Sequence, residues 1–164
     1  MLDLGLFAYR ESSILASIMQ TMFQQHPEYV AVCKRIERLQ SACRSWKGYV
    51  YRNTSPKYGN KVDILSGRGS QKYGGRWNSA GSFSAVYASL TPQLAMEEAF
   101  AHFHYYQLPI HAAMPRLFVA ISVSLRHVLD LTGGEIRNRL RVSSDHMTQE
   151  DWRKAQEQGK EALT

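Results

Sequence analysis

Hydrophobic residues in the first third of the chain recur at the three- and four-residue steps that amphipathic helices require. Ser12 or Ser13 can cap a first helix, and Pro27 suits the first turn of a second helix that extends to Trp46. We expect these two helices to form an antiparallel pair. Residues 1–46 are therefore predicted to be an N-terminal helical extension that serves packing or a partner surface.

The hydrophobic pattern changes after Gly48, where alternation replaces the helical spacing. Residues 49–51 and 85–89 favour short strands. Four aliphatic residues at alternate positions from Leu117 to Val123 are separated by Phe118, Ala120 and Ser122, which predicts a central strand that is apolar on both faces. Residues 59–81 contain six of the eleven glycines and few apolar residues. Because such a segment cannot form a core element, we predict a long functional loop there.

Helical patterns return in the second half of the chain. Thr91 and Pro92 supply an N-cap and a first helical position for a helix that ends near Tyr106, on which Glu98 and His102 are one turn apart. Further helices are predicted over residues 135–141 and 148–163. Mixed strands and helices of this kind predict an α+β fold. The predicted buried face of the helix after Thr91 consists of Leu94, Ala95, Ala99, Phe100 and Phe103.

The length of 164 residues suits one domain, and the formal charge of +6 is concentrated in one segment. Eight basic residues lie between positions 44 and 76, opposed only by Asp63, so this segment should attract an anion. No apolar run approaches the roughly 20 residues of a membrane helix, and the first ten residues lack a secretory signal. We expect a cytoplasmic protein. The basic residues are Arg44, Lys47, Arg52, Lys57, Lys61, Arg68, Lys72 and Arg76.

Candidate chemistry centres on the segment from Gly74 to Asn78, followed eleven residues after Arg76 by Tyr87 and eleven later by Glu98. Paired glycines permit close approach to a ligand, an arginine fork binds phosphate, and a carboxylate stabilises an oxocarbenium ion. The alternative is a plain turn, a core tyrosine and a solvated glutamate, and spacing alone favours that alternative. No metal is expected, because the nearby histidines point to different sides of their helix.

An ordered series of motifs over residues 46–162 resembles the RES-domain family, toxins of bacterial toxin–antitoxin pairs whose fold is related to ADP-ribosyltransferases. This resemblance assigns residues 47–164 to a RES-like catalytic domain with a mixed β-sheet core and flanking helices. The motifs are Trp46-Lys47-Gly48, Tyr51-Arg52, Gly67-Arg68-Gly69, Gly74-Gly75-Arg76-Trp77-Asn78, Val86-Tyr87-Ala88-Ser89, Ala95-Met96-Glu97-Glu98, Val128-Leu129-Asp130-Leu131 and Asp151-Trp152-Arg153.

The resemblance implies an enzyme that degrades NAD+ at the nicotinamide–ribose bond, using water or phosphate, and stops growth by NAD+ depletion. It implies Arg76, Tyr87 and Glu98 as catalytic residues, with Glu98 chosen over Glu97 and with His102 orienting it. NAD+ is then a substrate, and no metal takes part. The residues implied to bind the dinucleotide are Arg52, Gly75, Arg76, Trp77, Asn78, Tyr87 and Ser89.

The resemblance also implies a partner, an Xre-type helix-turn-helix antitoxin whose tail blocks the NAD+ pocket, so that DNA is reached only indirectly. A homodimer is a further open expectation. The family's Pro-Ser pair does not occur in this chain, and we therefore expect weak unaided activity. Two alternatives remain open: an ADP-ribosyltransferase that modifies a protein, and a catalytically incomplete basic module that binds an antitoxin or nucleic acid.

Overall fold

A computed structural model describes residues 6–8, 29–76, 78, 80–81 and 83–148. Its sheet contains three antiparallel strands in the order β1-β3-β2. The strands are β1 (Leu6–Ala8), β2 (Arg44–Thr54) and β3 (Leu117–Asp130). The β2–β3 ladder runs from Arg44 opposite Val128 to Thr54 opposite Leu117, with a register shift between Arg44 and Trp46. Mixed strands and helices confirm the predicted α+β class.

Strand β3 is central, which confirms that prediction, but the prediction that it is buried on both faces was wrong. Val119, Ile121 and Val123 are half-buried, whereas the alternating residues from Phe118 to Ser124 are exposed, with Phe118 at 47%. Serine at two of these alternating positions explains the difference, because polar residues at period two belong on a solvent face. The strand also runs to Asp130, beyond the end predicted at residue 123.

The N-terminal part of the described chain differs from the predicted helical pair. Helix α1 spans Tyr29–Glu37, a short 3-10 helix covers Gln40–Ala42, and β2 begins at Arg44, so Trp46 lies in a strand. The aromatic and valine residues after Lys47 suit a strand, and this preference outweighs the helical spacing at Trp46. The first predicted helix lies outside the described residues. Strand β1 was not predicted.

Residues 59–81 contain two short helices, which corrects the predicted long loop. Helix α2 spans Lys61–Ser66 and α3 spans Arg68–Tyr73. Asn60 caps α2, since its side chain accepts from the backbone N–H of Asp63 at 3.0 Å. Gly67, with φ of 62°, separates the two helices, and Gly74, with φ of 78°, follows the second. The glycines therefore end helices rather than mark an irregular loop.

Helix α4 spans Pro92–Tyr105 and confirms the predicted start. The hydroxyl of Thr91 accepts from the N–H of Leu94 at 3.1 Å, and Pro92 occupies the first turn. Ala95 and Phe103 are buried on the face that was predicted to pack inward. The preceding residues 83–88 form no strand, although Ser89 pairs with Tyr51 of β2 through an antiparallel bridge.

The described core lies where α1 and the end of β3 meet two C-terminal helices, α5 (Gly134–Leu140) and α6 (Ser144–Thr148). Helix α5 confirms the helix predicted over 135–141, while residues 149–163 of the last predicted helix lie outside the description. Within the described ranges, no helix has the length and apolarity needed to cross a bilayer. Residues exposed by 4% or less in this core include Ile36, Leu39, Val128, Leu129, Leu131, Leu140, Val142 and Met147.

Candidate functional site

Tyr87 lies in a polar network that also contains Asn78. Its hydroxyl donates to the Oδ1 atom of Asn78 at 2.6 Å, and Asn78 itself is fully buried. The Nδ2 atom of Asn78 donates to the carbonyl oxygens of Ser70 at 2.8 Å and Phe83 at 3.1 Å. A buried amide with its groups bonded in this way is rigid, because breaking any bond would leave a polar atom unsatisfied.

Gly75 permits the close approach of Tyr87. A Cβ atom at position 75 would lie 2.6 Å from the tyrosine hydroxyl, so a larger residue would displace the ring. Gly75 also closes a short turn with Asn78, since its N–H donates to the Asn78 carbonyl at 2.8 Å. The predicted Gly-Gly-Arg-Trp-Asn motif thus positions a tyrosine eleven residues from its arginine. We call Ser70, Gly75, Asn78 and Tyr87 the Tyr87 cluster.

Glu98 belongs to a second group of residues, which includes Ser89, two positions after Tyr87. The hydroxyl of Ser89 donates to the Oε2 atom of Glu98 at 3.0 Å, and both Glu98 and the neighbouring Glu97 are exposed. Ser89 is buried and exchanges two backbone hydrogen bonds of 2.8 Å with Tyr51. Ser89 therefore joins α4, which carries Glu98, to β2. We call Tyr51, Ser89 and Glu98 the Glu98 cluster.

The extended segment from residue 85 to 89 connects the two clusters. Ala85 and Tyr87 are half-buried and Ser89 is buried, while Val86 and Ala88 between them are exposed. Alternation of this kind puts Tyr87 and Ser89 on one side of the segment, about 7 Å apart along the chain. The structure therefore brings the predicted tyrosine and glutamate to neighbouring positions on one surface.

Arg52 follows Tyr51 on β2 and is partly withdrawn from solvent. Its Nη1 atom donates to the carbonyl oxygen of Ile64 in α2, and the residue is half-buried. Burial lowers the pKa of the Arg52 guanidinium because desolvation disfavours its charged form. No carboxylate among the described residues offsets that charge, so an anionic ligand would be stabilised here.

Arg76, the second predicted phosphate ligand, is half-buried and donates from Nη1 to the carbonyl oxygen of Met147 at 3.4 Å. This contact directs it towards α6, and no hydrogen bond joins it to Arg52. Trp77 lies outside the described residues. His102 is exposed on α4, with its ring 4.7 Å from that of Tyr106, and its predicted role beside Glu98 stays a prediction.

Burial separates the eight basic residues between positions 44 and 76 into two groups. Arg52 and Arg76 are half-buried, and the other six are exposed. Partial burial of a guanidinium costs free energy that hydrogen bonds offset, and each of these two arginines donates to a backbone carbonyl oxygen. The two arginines implied by the family resemblance are thus the two that the fold partly withdraws from solvent.

Ser70 is a member of the Tyr87 cluster that sequence reasoning missed. Its hydroxyl lies within hydrogen-bond distance of two carbonyl oxygens, those of Gly67 at 2.8 Å and Ala85 at 2.7 Å, which share its single proton, and it accepts from the N–H of Ala85 at 2.9 Å. These bonds attach α3 to the start of the extended segment that carries Tyr87. No motif marks this serine, because the partners of its hydroxyl are backbone groups that every residue provides.

Among the residues described, no three His, Cys, Asp or Glu side chains are grouped as a metal site would require.

A separate groove of about 520 Å³ lies beyond the C-terminal half of α4, lined by Lys57, Phe103 and Arg116 among others. None of the predicted site residues lines this groove, so it lies apart from the two clusters.

The fold and the two clusters together define an α+β protein with a polar, arginine-flanked site on the surface joining α4 to the edge of β2. The RES domain model matches residues 49–163, a span that includes every residue of both clusters. The chain belongs to the RES domain family. The resemblance drawn from the motifs is thereby confirmed.

Two curated relatives and one solved structure extend the comparison. The NAD(+) phosphorylases MbcT of Mycobacterium bovis and Mycobacterium tuberculosis are both 34% identical over 111 residues. The match covers 65% of this chain and 56% of each relative, so the chain spans little more than half their length. A chain in the crystal structure of the M. tuberculosis MbcT–MbcA toxin–antitoxin complex superposes with a TM-score of 0.63 and 26% identity, covering 77% of this chain and 67% of that one.

Proposed function

We propose that this protein is a toxin-like enzyme that breaks the nicotinamide–ribose bond of NAD+ and transfers ADP-ribose to inorganic phosphate. The observation that carries the proposal is the hydrogen bond to the carboxylate of Glu98 from Ser89, which follows Tyr87 by two residues. The names of the MbcT relatives support NAD+ as the substrate and phosphate as the acceptor. Growth would stop as NAD+ is depleted in the cytoplasm.

The arginines serve binding in this proposal. NAD+ carries two phosphate charges, and the desolvated guanidinium of Arg52 is a cation without a carboxylate partner among the described residues. Arg76 would supply a second fork on the other side of Tyr87. Charge-assisted bonds of this kind are about twice as strong as neutral ones and fix the orientation of the dinucleotide.

Glu98 would act on the reacting bond. As the bond between the nicotinamide nitrogen and the ribose carbon breaks, its electron pair leaves with neutral nicotinamide and the ribose carbon becomes cationic. A carboxylate held by Ser89 stabilises that cation more than it stabilises the ground state, and this difference accelerates the reaction. A phosphate oxygen then forms the new bond to the same carbon, which yields ADP-ribose phosphate.

The test is nicotinamide release from NAD+ by the purified chain, with inorganic phosphate varied and the products separated chromatographically. We expect release to rise with phosphate and ADP-ribose phosphate to accumulate. Glu98→Gln should lower the turnover rate about 100-fold, because the amide keeps the shape but loses the charge. Glu97→Gln is the matched control, since the Ser89 hydroxyl donates to Glu98 and not to this neighbouring carboxylate, and its rate should equal that of the wild type.

Four results would contradict parts of this proposal. Failure of the wild-type chain to release nicotinamide, or equal rates for Glu98→Gln and wild type, would remove the NAD+ reaction. Free ADP-ribose as the sole product at saturating phosphate would make water the acceptor. Label from NAD+ appearing on protein would instead favour the ADP-ribosyltransferase alternative.

We also propose an antitoxin as the partner of this protein. The support is the likeness to a chain from a toxin–antitoxin complex. The Xre-type helix-turn-helix character of that antitoxin rests on the family resemblance alone. Co-expression with a candidate antitoxin should restore growth and yield a complex that co-purifies, and persistent toxicity without a complex would argue against the pairing.

A further inference from the structure

Asn78 has one orientation that satisfies its surroundings. Its Nδ2 atom faces two carbonyl oxygens, those of Ser70 and Phe83, and carbonyls only accept hydrogen bonds. The amide nitrogen must therefore face them, and the amide oxygen must face the tyrosine hydroxyl 2.6 Å away. Because the residue is fully buried, water cannot replace any of these bonds.

This arrangement determines the direction of the hydrogen bond made by Tyr87. A phenol has a single proton, and that proton is donated to the Oδ1 atom of Asn78. Towards any other group, the tyrosine oxygen can act only as an acceptor. A ligand group that meets it must therefore carry a proton of its own.

Gly75, at the start of the turn that carries Asn78, lies against the hydroxyl of Tyr87. An added Cβ atom would lie within 2.7 Å of the hydroxyl and of two ring carbons of Tyr87, so the ring lies against the glycine backbone. The turn that carries Asn78 thus also limits the movement of the ring. Gly75 and Asn78, which belong to one motif, therefore fix both the position of the Tyr87 hydroxyl and the direction of its hydrogen bond.

We propose that Asn78 is a positioning residue, which makes the Tyr87 hydroxyl an obligate hydrogen-bond acceptor for a ribose hydroxyl of the substrate. This inference rests on the proposed function and reassigns Asn78, which the family resemblance implied to touch the dinucleotide itself. A ribose hydroxyl is the fitting partner because it donates a proton, whereas the phosphates of NAD+ only accept. The buried amide acts on the substrate through the tyrosine.

The first test is a double-mutant cycle on nicotinamide release, with kcat and KM measured separately. Asn78→Ala and Tyr87→Phe should each lower kcat/KM about tenfold, and the double variant should lose no more than Tyr87→Phe alone. Multiplied losses in the double variant would overturn the proposal, because Asn78 would then act independently of the hydroxyl. Asn138→Ala is the matched control, since this asparagine is exposed on α5.

A second test avoids the buried substitution, in case Asn78→Ala does not fold. Wild type and Tyr87→Phe are compared on NAD+ analogues in which one nicotinamide-ribose hydroxyl, and then the other, is replaced by hydrogen or by fluorine. Fluorine cannot donate, so at one position the wild type should prefer the natural substrate by about tenfold more than Tyr87→Phe does. Equal discrimination by both proteins at both positions would overturn the proposal, whereas a wild type inactive on NAD+ itself would contradict the proposed function.

Discussion

The Tyr87 cluster and the Glu98 cluster are neighbours on one extended segment, yet they are built differently. The first is neutral and centred on an asparagine that is fully buried, with its side chain bonded to Ser70, Phe83 and Tyr87. The second presents the exposed carboxylate of Glu98, and the desolvated guanidinium of Arg52 follows its Tyr51 on β2, so that these two residues form the charged side of the site. The contrast teaches that burial preorganises the neutral side, whereas the carboxylate of the charged side stays in contact with solvent.

The largest effect should come from the charged side, through Arg52→Lys. Lysine keeps the charge but lacks the planar fork that reaches the Ile64 carbonyl and a phosphate together, so the KM for NAD+ should rise about 10- to 100-fold. Steady-state nicotinamide release measures this change. Arg44→Lys, an exposed position on the same strand, should leave the KM unchanged. An unaltered KM for Arg52→Lys would mean that the charged side binds no phosphate.

Gly75→Ala tests the neutral side. The added methyl would lie 2.6 Å from the Tyr87 hydroxyl, so the ring must shift away from Asn78. We expect a loss of about tenfold in kcat/KM and about 1–3 kcal/mol in the free energy of unfolding. Thermal unfolding and NAD+ turnover measure the two quantities. Gly69→Ala, where an added Cβ meets nothing within 4 Å, is the control, and equal behaviour of both variants would contradict the preorganised contact.

The smallest effect should come from Ser89→Ala. This change removes the bond to Glu98, but the carboxylate is exposed and water can replace the lost donor. We therefore expect a fall in kcat of about threefold with KM unchanged. Ser124→Ala, exposed on β3, is the control. A loss as large as that of Glu98→Gln would show that the charged side is as rigidly organised as the neutral side.

Local signals predicted several elements correctly. Thr91 and Pro92 marked the start of α4, whereas the glycines that end α2 and α3 were interpreted as part of a long loop, so those two helices were not predicted. The signals failed at Trp46, where a helical spacing continued into a strand, and on β3, where one face proved exposed. These failures share a cause, since strand pairing and burial depend on residues distant in the chain.

The amino-acid sequence by itself determined the family, the α+β class and the residue types of the candidate site, because motifs and caps are local and chemical. Tertiary structure alone decided which of the eight basic residues leave solvent and that Asn78 is a buried support for Tyr87. It also revealed Ser70, whose partner Ala85 is fifteen residues away. The reason is physical: burial and hydrogen-bond direction are set by neighbours brought together in folding, and one residue's identity does not specify them.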